Sequence, residues 1–197
     1  MSRKGPVIVN EHSIPLGLAQ VRVGAFADHI ANIHPALSSS DSVGALANTS
    51  FVGEKEYFTL ETGFPLIEDK SWCIREKARL DCAFYELTPA NMALATGHDP
   101  KNAPYSEMSS SSGEIPLGQM GDADFVRMEA VYTYPNGTNT MTIIFPKAQV
   151  LGAVNVEFAA ENPASVPVSI QARPADSDAP SGEAVWDDKP MGRITWE

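Results

Sequence analysis

Between Trp72 and Leu87 the chain alternates in character residue by residue. The even positions carry Trp72, Ile74, Glu76, Ala78, Leu80, Cys82, Phe84 and Glu86, while Arg75, Lys77, Arg79 and Asp81 occupy odd ones. Successive side chains on a strand point to opposite faces, so a period of two over so long a stretch fits a half-buried strand better than a helix. A strand of this length needs a sheet to pair with. A second alternation runs from Phe125 to Tyr134, followed by Pro135-Asn136-Gly137 and the β-prone run Thr140-Met141-Thr142-Ile143-Ile144-Phe145. Asn-Gly between two such runs predicts a hairpin, because both residues accept the positive φ of a tight turn.

Further strands are predicted over Pro6–Asn10, Leu18–Gly24, Tyr57–Glu61, Val150–Phe158 and Val166–Ala172, giving eight or nine in all. Only one helix has both a start and a stop signal: Thr88 as N-cap, Pro89 at the first helical position, good helix formers to Ala95, and Gly97 beyond the end. The fold class that follows is mainly β, a β-sandwich or partial barrel with one short helix and long loops. At 197 residues the chain is read as one domain, 1–197, with long loops at about 26–50 and 98–122 and an acidic, Pro-rich C-terminal segment, 174–197, whose Arg193-Ile194-Thr195-Trp196 ends as a strand or arm.

The charge balance narrows the function classes. With 14 Lys+Arg against 25 Asp+Glu the formal charge is −11, opposite to what a protein needs to grip phosphates tightly. The one local positive feature, Arg75, Lys77 and Arg79 on one strand face, is expected to meet Asp or Glu across the sheet or on a neighbouring subunit. No run of about 18 apolar residues is present and the first residues lack an apolar core of a signal peptide, so neither membrane spanning nor secretion is expected. Cys73 and Cys82 lie nine residues apart on one predicted strand, roughly 30 Å at ~3.3 Å per residue and on opposite faces, and are expected to remain two free thiols.

Chemistry-bearing patterns are weak. His29 and His34 are five apart and share no helix or strand face, His12 and His98 stand alone, and Asp176-Ser177-Asp178 is followed by Pro180 and Ser181 where a calcium loop needs a ligand and a glycine. Asp122-Ala123-Asp124 has no further ligand spacing, and Ser109 to Ser112 lack the strand-turn-helix context that activates a serine. No catalytic residue, metal site or cofactor is therefore expected. Trp72, Phe84, Phe125 and Phe158, on apolar strand faces, are expected in the core.

Four segments taken together carry a resemblance: Glu61-Thr62-Gly63-Phe64-Pro65; the long strand ending Glu86-Leu87-Thr88-Pro89 with its helix to Gly97; Phe145-Pro146-Lys147-Ala148-Gln149-Val150; and Val166-Pro167-Val168-Ser169-Ile170-Gln171-Ala172-Arg173. Over residues 55–175 the chain resembles the major tail tube proteins of long-tailed bacteriophages. The resemblance implies a structural virion protein made in the host bacterial cytoplasm and located in the tail. Its subunits would join edge to edge in hexameric rings, which stack into a hollow tube through which DNA passes transiently. It implies other tail proteins as partners, such as the tape measure and tail terminator, no membrane and no enzyme activity. Ring stacking then needs an arm reaching the next ring, and residues 34–51 are expected to supply it through Leu37, Val43, Leu46 and Phe51, spaced among Ser, Asp and Asn. The alternatives are a non-enzymatic β-sandwich binding module, carbohydrate-binding or virion-decorating, and a jelly-roll enzyme.

Overall fold

A computed structural model describes residues 15, 17, 19–26, 37–109, 111–118, 121–156, 158 and 163–197. The predicted strand Pro6–Asn10 and the histidines His12, His29 and His34 lie outside the described residues. The described chain forms β1 (Gln20–Ala25), β2 (Leu46–Thr62), β3 (Ile67–Phe84), helix α1 (Pro89–Ala95), β4 (Val126–Thr133), β5 (Thr140–Val150), β6 (Val166–Ala172) and β7 (Arg193–Trp196). All seven strands belong to one antiparallel sheet in the order β1-β4-β5-β6-β3-β2, with β7 added to the upper half of β5.

The sheet curls toward closure without reaching it. The lead-in to β2 touches β1 at the far end of the strand order, through an Arg22–Ser42 bridge and a Val43 N–H donated to the Val21 carbonyl at 3.0 Å. The curl brings the inward residues of every long strand onto one core. Val21 and Val23, Met128 and Ala130, Phe145 and Ala148, Val168 and Ile170, and Leu80, Cys82 and Phe84 meet there, with Leu94 and Ala95 of α1 packed among them. The caps of α1 act as the sequence indicates. Thr88 Oγ1 accepts from the Asn91 N–H at 3.2 Å, and Gly97 takes φ +88° just past the end, a conformation that costs glycine nothing. Asn91 Nδ2 donates to both the Val43 and Glu86 carbonyls at 2.8 Å, tying the helix start to the lead-in of β2.

The outer face of the sheet is partly covered as well. The C-terminal segment folds back over it, with a 3-10 turn at Ala184–Trp186 that buries Trp186 against Ile144 and Ala175. The segment is pinned by the Ala175 N–H to the Pro190 carbonyl and the Glu183 N–H to the Ala175 carbonyl, at 2.9 and 2.8 Å. Under this cover Arg127 and Glu129 are fully buried on β4. Arg127 Nε donates to Glu129 Oε1 at 3.0 Å, and Glu129 Oε2 accepts the Leu37 N–H at 2.6 Å. Pairing and hydrogen bonding are what make such burial tolerable.

Several expectations shift. The Asn-Gly hairpin is present, but its connection spans six residues, 134–139, held by Asn136 Oδ1 accepting the Thr138 and Asn139 N–H groups and by Gly137 at φ +70°. The strand predicted over Val150–Phe158 stops at Val150, because pairing with β6 ends there and Gly152, at φ +140°, turns the chain out. Residue 157 of that stretch lies outside the described residues, and so does residue 18 of the Leu18–Gly24 prediction. Of the four aromatics expected in the core only Phe84 is buried there. Phe125 is half-buried against the Phe26 ring, and Trp72 and Phe158 are exposed.

Candidate assembly interface

Strand β3 is longer than the sheet that supports it. β6 pairs only with Arg79–Phe84, so residues 67–78 have β2 as their single strand partner among the described residues. Twelve residues at ~3.3 Å each make a two-stranded arm of about 40 Å beyond the body. Its free sides, the outer edge of β2 and the edge of residues 67–78, present open rows of backbone donors and acceptors.

The arm is divided along its length. Nearest the body, Phe51 pairs with Leu80 and rests its ring 6.3 Å from that of Phe145, continuing the core. Next comes a charged belt. Lys55 meets Glu76 at 3.2 Å on one face, while Glu56 meets Arg75 at 3.1 Å and Glu54 meets Arg79 at 2.8 Å on the other. Arg79 also pairs with Asp81 at 3.0 Å, and this hydrogen bond raises its pKa further. Of the basic run, Arg75 and Arg79 meet the expected carboxylates across the sheet, and Lys77 stands in register with Glu54. Each of these pairs is solvent-exposed and contributes little to stability, but together they leave no apolar continuity between the core and the outer arm.

Beyond the belt a bulge between Glu56 and Tyr57 shifts the register, so that Phe58 faces Trp72 and Tyr57 faces Cys73. The Phe58 and Trp72 rings stack with centroids 6.1 Å apart, and Lys70 Nζ lies 5.0 Å over the Trp72 ring. Thr59 and Ser71 hydroxyls share a 2.9 Å hydrogen bond on the opposite face. The connection at the tip is apolar where turns are ordinarily polar: Phe64 is fully exposed, Leu66 68% and Ile67 65%. Nine large apolar side chains of this one hairpin, Phe51, Tyr57, Phe58, Leu60, Phe64, Leu66, Ile67, Trp72 and Ile74, are exposed. A single exposed leucine is ordinary, whereas a concentration of this kind marks a surface that another molecule covers.

The residues expected on a stacking arm are placed differently. Leu37, Val43 and Leu46 are buried, Val43 and Leu46 within the main core, and only Phe51 lies on the hairpin, at its base. In the isolated chain those three side chains are committed to the subunit itself. The projecting residues 57–74 carry the exposed apolar surface that the spacing of residues 34–51 suggested. Residues 27–36 lie outside the described residues.

Several titratable groups elsewhere have structural partners. His98 stacks on Tyr105 at 4.6 Å, with its Nδ1 3.8 Å from Asp124. Asp187 accepts both the N–H and the hydroxyl of Ser177, which lowers its pKa. Among the described residues no three His, Cys, Asp or Glu side chains gather as a metal site would need, and no helix is long and apolar enough to cross a membrane. Cys73 is exposed and Cys82 buried, both as free thiols, and burial followed by the nearby Asp81 pushes the Cys82 thiol up to about 12.

No protein-family model matches this chain, and the curated proteins contain no match to it. Among solved structures it is similar to the sheath–tube complex of the PVC extracellular contractile injection system in its extended state. Identity is 14%, with 95% of this chain and 93% of that chain covered and a TM-score of 0.43.

Proposed function

We propose that this chain is a non-enzymatic structural subunit of a tail tube. Its copies join side by side into rings, hexameric as the resemblance of residues 55–175 implies, and the rings stack into a hollow tube. DNA passes through the tube without being held, and the tape measure and tail terminator proteins meet it inside and at its end. The subunit is made in the bacterial cytoplasm and resides in the virion tail.

The observation that carries this reading is the β2–β3 hairpin, with its apolar outer part set off from the core by a charged belt. Such a limb is costly to leave in water, and its open edges invite a further strand, so it makes physical sense in a molecule whose resting state is an assembly. Edge pairing between copies removes the unpaired rows, as closing a barrel does. The net charge of −11 favours a conduit over a binding groove, since a predominantly acidic wall repels phosphate. Electron microscopy of the concentrated purified chain is the test. Rings with a central hole, or tubes built of them, are expected; a particle that stays monomeric at all concentrations refutes the proposal and favours a binding module.

A further inference from the structure

We infer that the tip of the hairpin docks in a particular groove on a second copy of this chain, an inference that rests on the self-assembling role proposed above. The groove, of about 460 Å³, lies on the outer face of the sheet between Phe125 on one side and Ala179 and Pro180 of the C-terminal segment on the other. An apolar cavity of ~150 Å³ accommodates a benzene ring, so this space takes the Phe64 ring together with Leu66.

The occupant has to come from another copy. Gln149, in the groove, lies in register with Gln171 and through it with Arg79. Ile67, where the tip begins, is twelve residues up β3 from Arg79, about 40 Å of strand. A chain's own tip therefore stands far from its own groove. The contact joins two different surfaces, so it propagates from copy to copy and generates rings or filaments instead of a closed dimer.

Charge fits the same occupant. Just behind the tip Glu61 pairs directly with Glu68 across the two strands, with Asp69 beside them. Like charges placed opposite each other on a hairpin are unfavourable until a cation sits between them. The groove presents Arg173, whose Nε is fixed by Gln149 Oε1 at 2.9 Å, while Lys147 is buried in the groove floor, its ammonium 4.5 Å from the Phe125 ring centroid and donating to the Pro180 carbonyl. Asp176 and Asp178 line the groove too, and they match Lys70, the one basic residue next to the tip.

Cross-linking between chains that each carry one exposed cysteine, Cys82 being buried, tests this. In a Cys73→Ser background, Leu66→Cys chains are mixed with Ala179→Cys chains and treated with a short bis-maleimide. The docking predicts a cross-linked dimer in the mixture and none in either variant alone. A dimer from Leu66→Cys alone would mean that tips meet tips, and would overturn the assignment. Rings or tubes visible by electron microscopy without the mixed cross-link would also overturn it, while leaving the proposed function standing. Wild-type chains that never associate would overturn both. A second variant, Ala179→Trp, fills the groove from within and is expected to weaken association by about tenfold or more with the melting temperature unchanged; normal assembly by that variant refutes the docking.

Discussion

Two alanine substitutions six residues apart on β3 separate the supported half of that strand from the projecting half. Leu80 is 1% exposed and packs within the main core, so Leu80→Ala removes buried methyl groups and leaves a space that the close-packed sheet only partly fills. Substitutions of this kind cost about 2–5 kcal/mol. At ~2–4 °C per kcal/mol for a chain of this size, a loss near 3 kcal/mol lowers the melting temperature by about 10 °C. Ile74 is 62% exposed beyond the charged belt, and Ile74→Ala is expected to stay within about 0.5 kcal/mol of wild type. The comparison requires urea unfolding followed by circular dichroism at concentrations where the chains are monomeric, since association adds its own stabilisation. Leu80→Ala is expected to lower the urea midpoint with an unchanged slope. Equal losses for the two variants would show that residues 67–78 are packed against the body, and the separation of the strand into two parts would fall.

Other consequences are as specific. In dilute native protein one thiol, Cys73, is expected to react quickly with a thiol reagent and a second, Cys82, only after denaturation; two fast thiols would mean that β3 opens at its supported end. Trp186→Ala is expected to cost about 3–5 kcal/mol in urea unfolding, because the ring is fully buried against Ile144 and Ala175, and an unmoved midpoint would show that the C-terminal segment does not belong to the folded unit. Lys147 has its pKa lowered by burial, so in the window between its folded pKa and the ordinary 10.5 the unfolded chain binds the proton that the folded chain has released. Stability attributable to this residue therefore rises with pH through that window, and Lys147→Met is expected to remove that rise; an unaltered pH profile would show that the ammonium is not desolvated.

The period-two runs made most of the sheet legible, and the capping residues around Thr88 and Gly97 fixed the helix nearly to the residue. What the alternation does not reveal is which molecule an apolar face is turned toward. Trp72 and Ile74 share the period-two pattern of Leu80 and Cys82, interrupted only by Glu76, yet the first two are exposed and the second two face the subunit's own core. The legible sign was the turn: after Gly63, Phe64-Pro65-Leu66 places apolar side chains where a hairpin bend ordinarily carries polar residues. Leu37, Val43 and Leu46, buried in the isolated chain, show the reverse case. Sparse apolar residues among Ser and Asp resemble a detached arm, but the Val43 N–H bonds to β1 and brings the segment across the open side of the sheet, a contact between residues distant in sequence that no local pattern encodes. Arg127 and Glu129 were likewise hidden. Charged residues at alternate positions normally mark a solvated face, and here each is the other's buried partner beneath a segment some fifty residues further along the chain.

On the proposed function, the projecting hairpin serves assembly and contributes little to the fold. Lys55 and Glu76 face each other across it, so replacing residues 56–75 with Asn-Gly closes the hairpin at that pair with a tight turn, keeps the Lys55–Glu76 and Glu54–Arg79 ion pairs, and removes the Glu56–Arg75 pair, the aromatic stack and the tip. Sedimentation velocity across a concentration series, with wild type beside this shortened chain, tests that role. Large assemblies are expected for the wild type and a monomer with an unchanged melting temperature for the shortened chain. A shortened chain that assembles like wild type, or one that no longer folds, would refute that role.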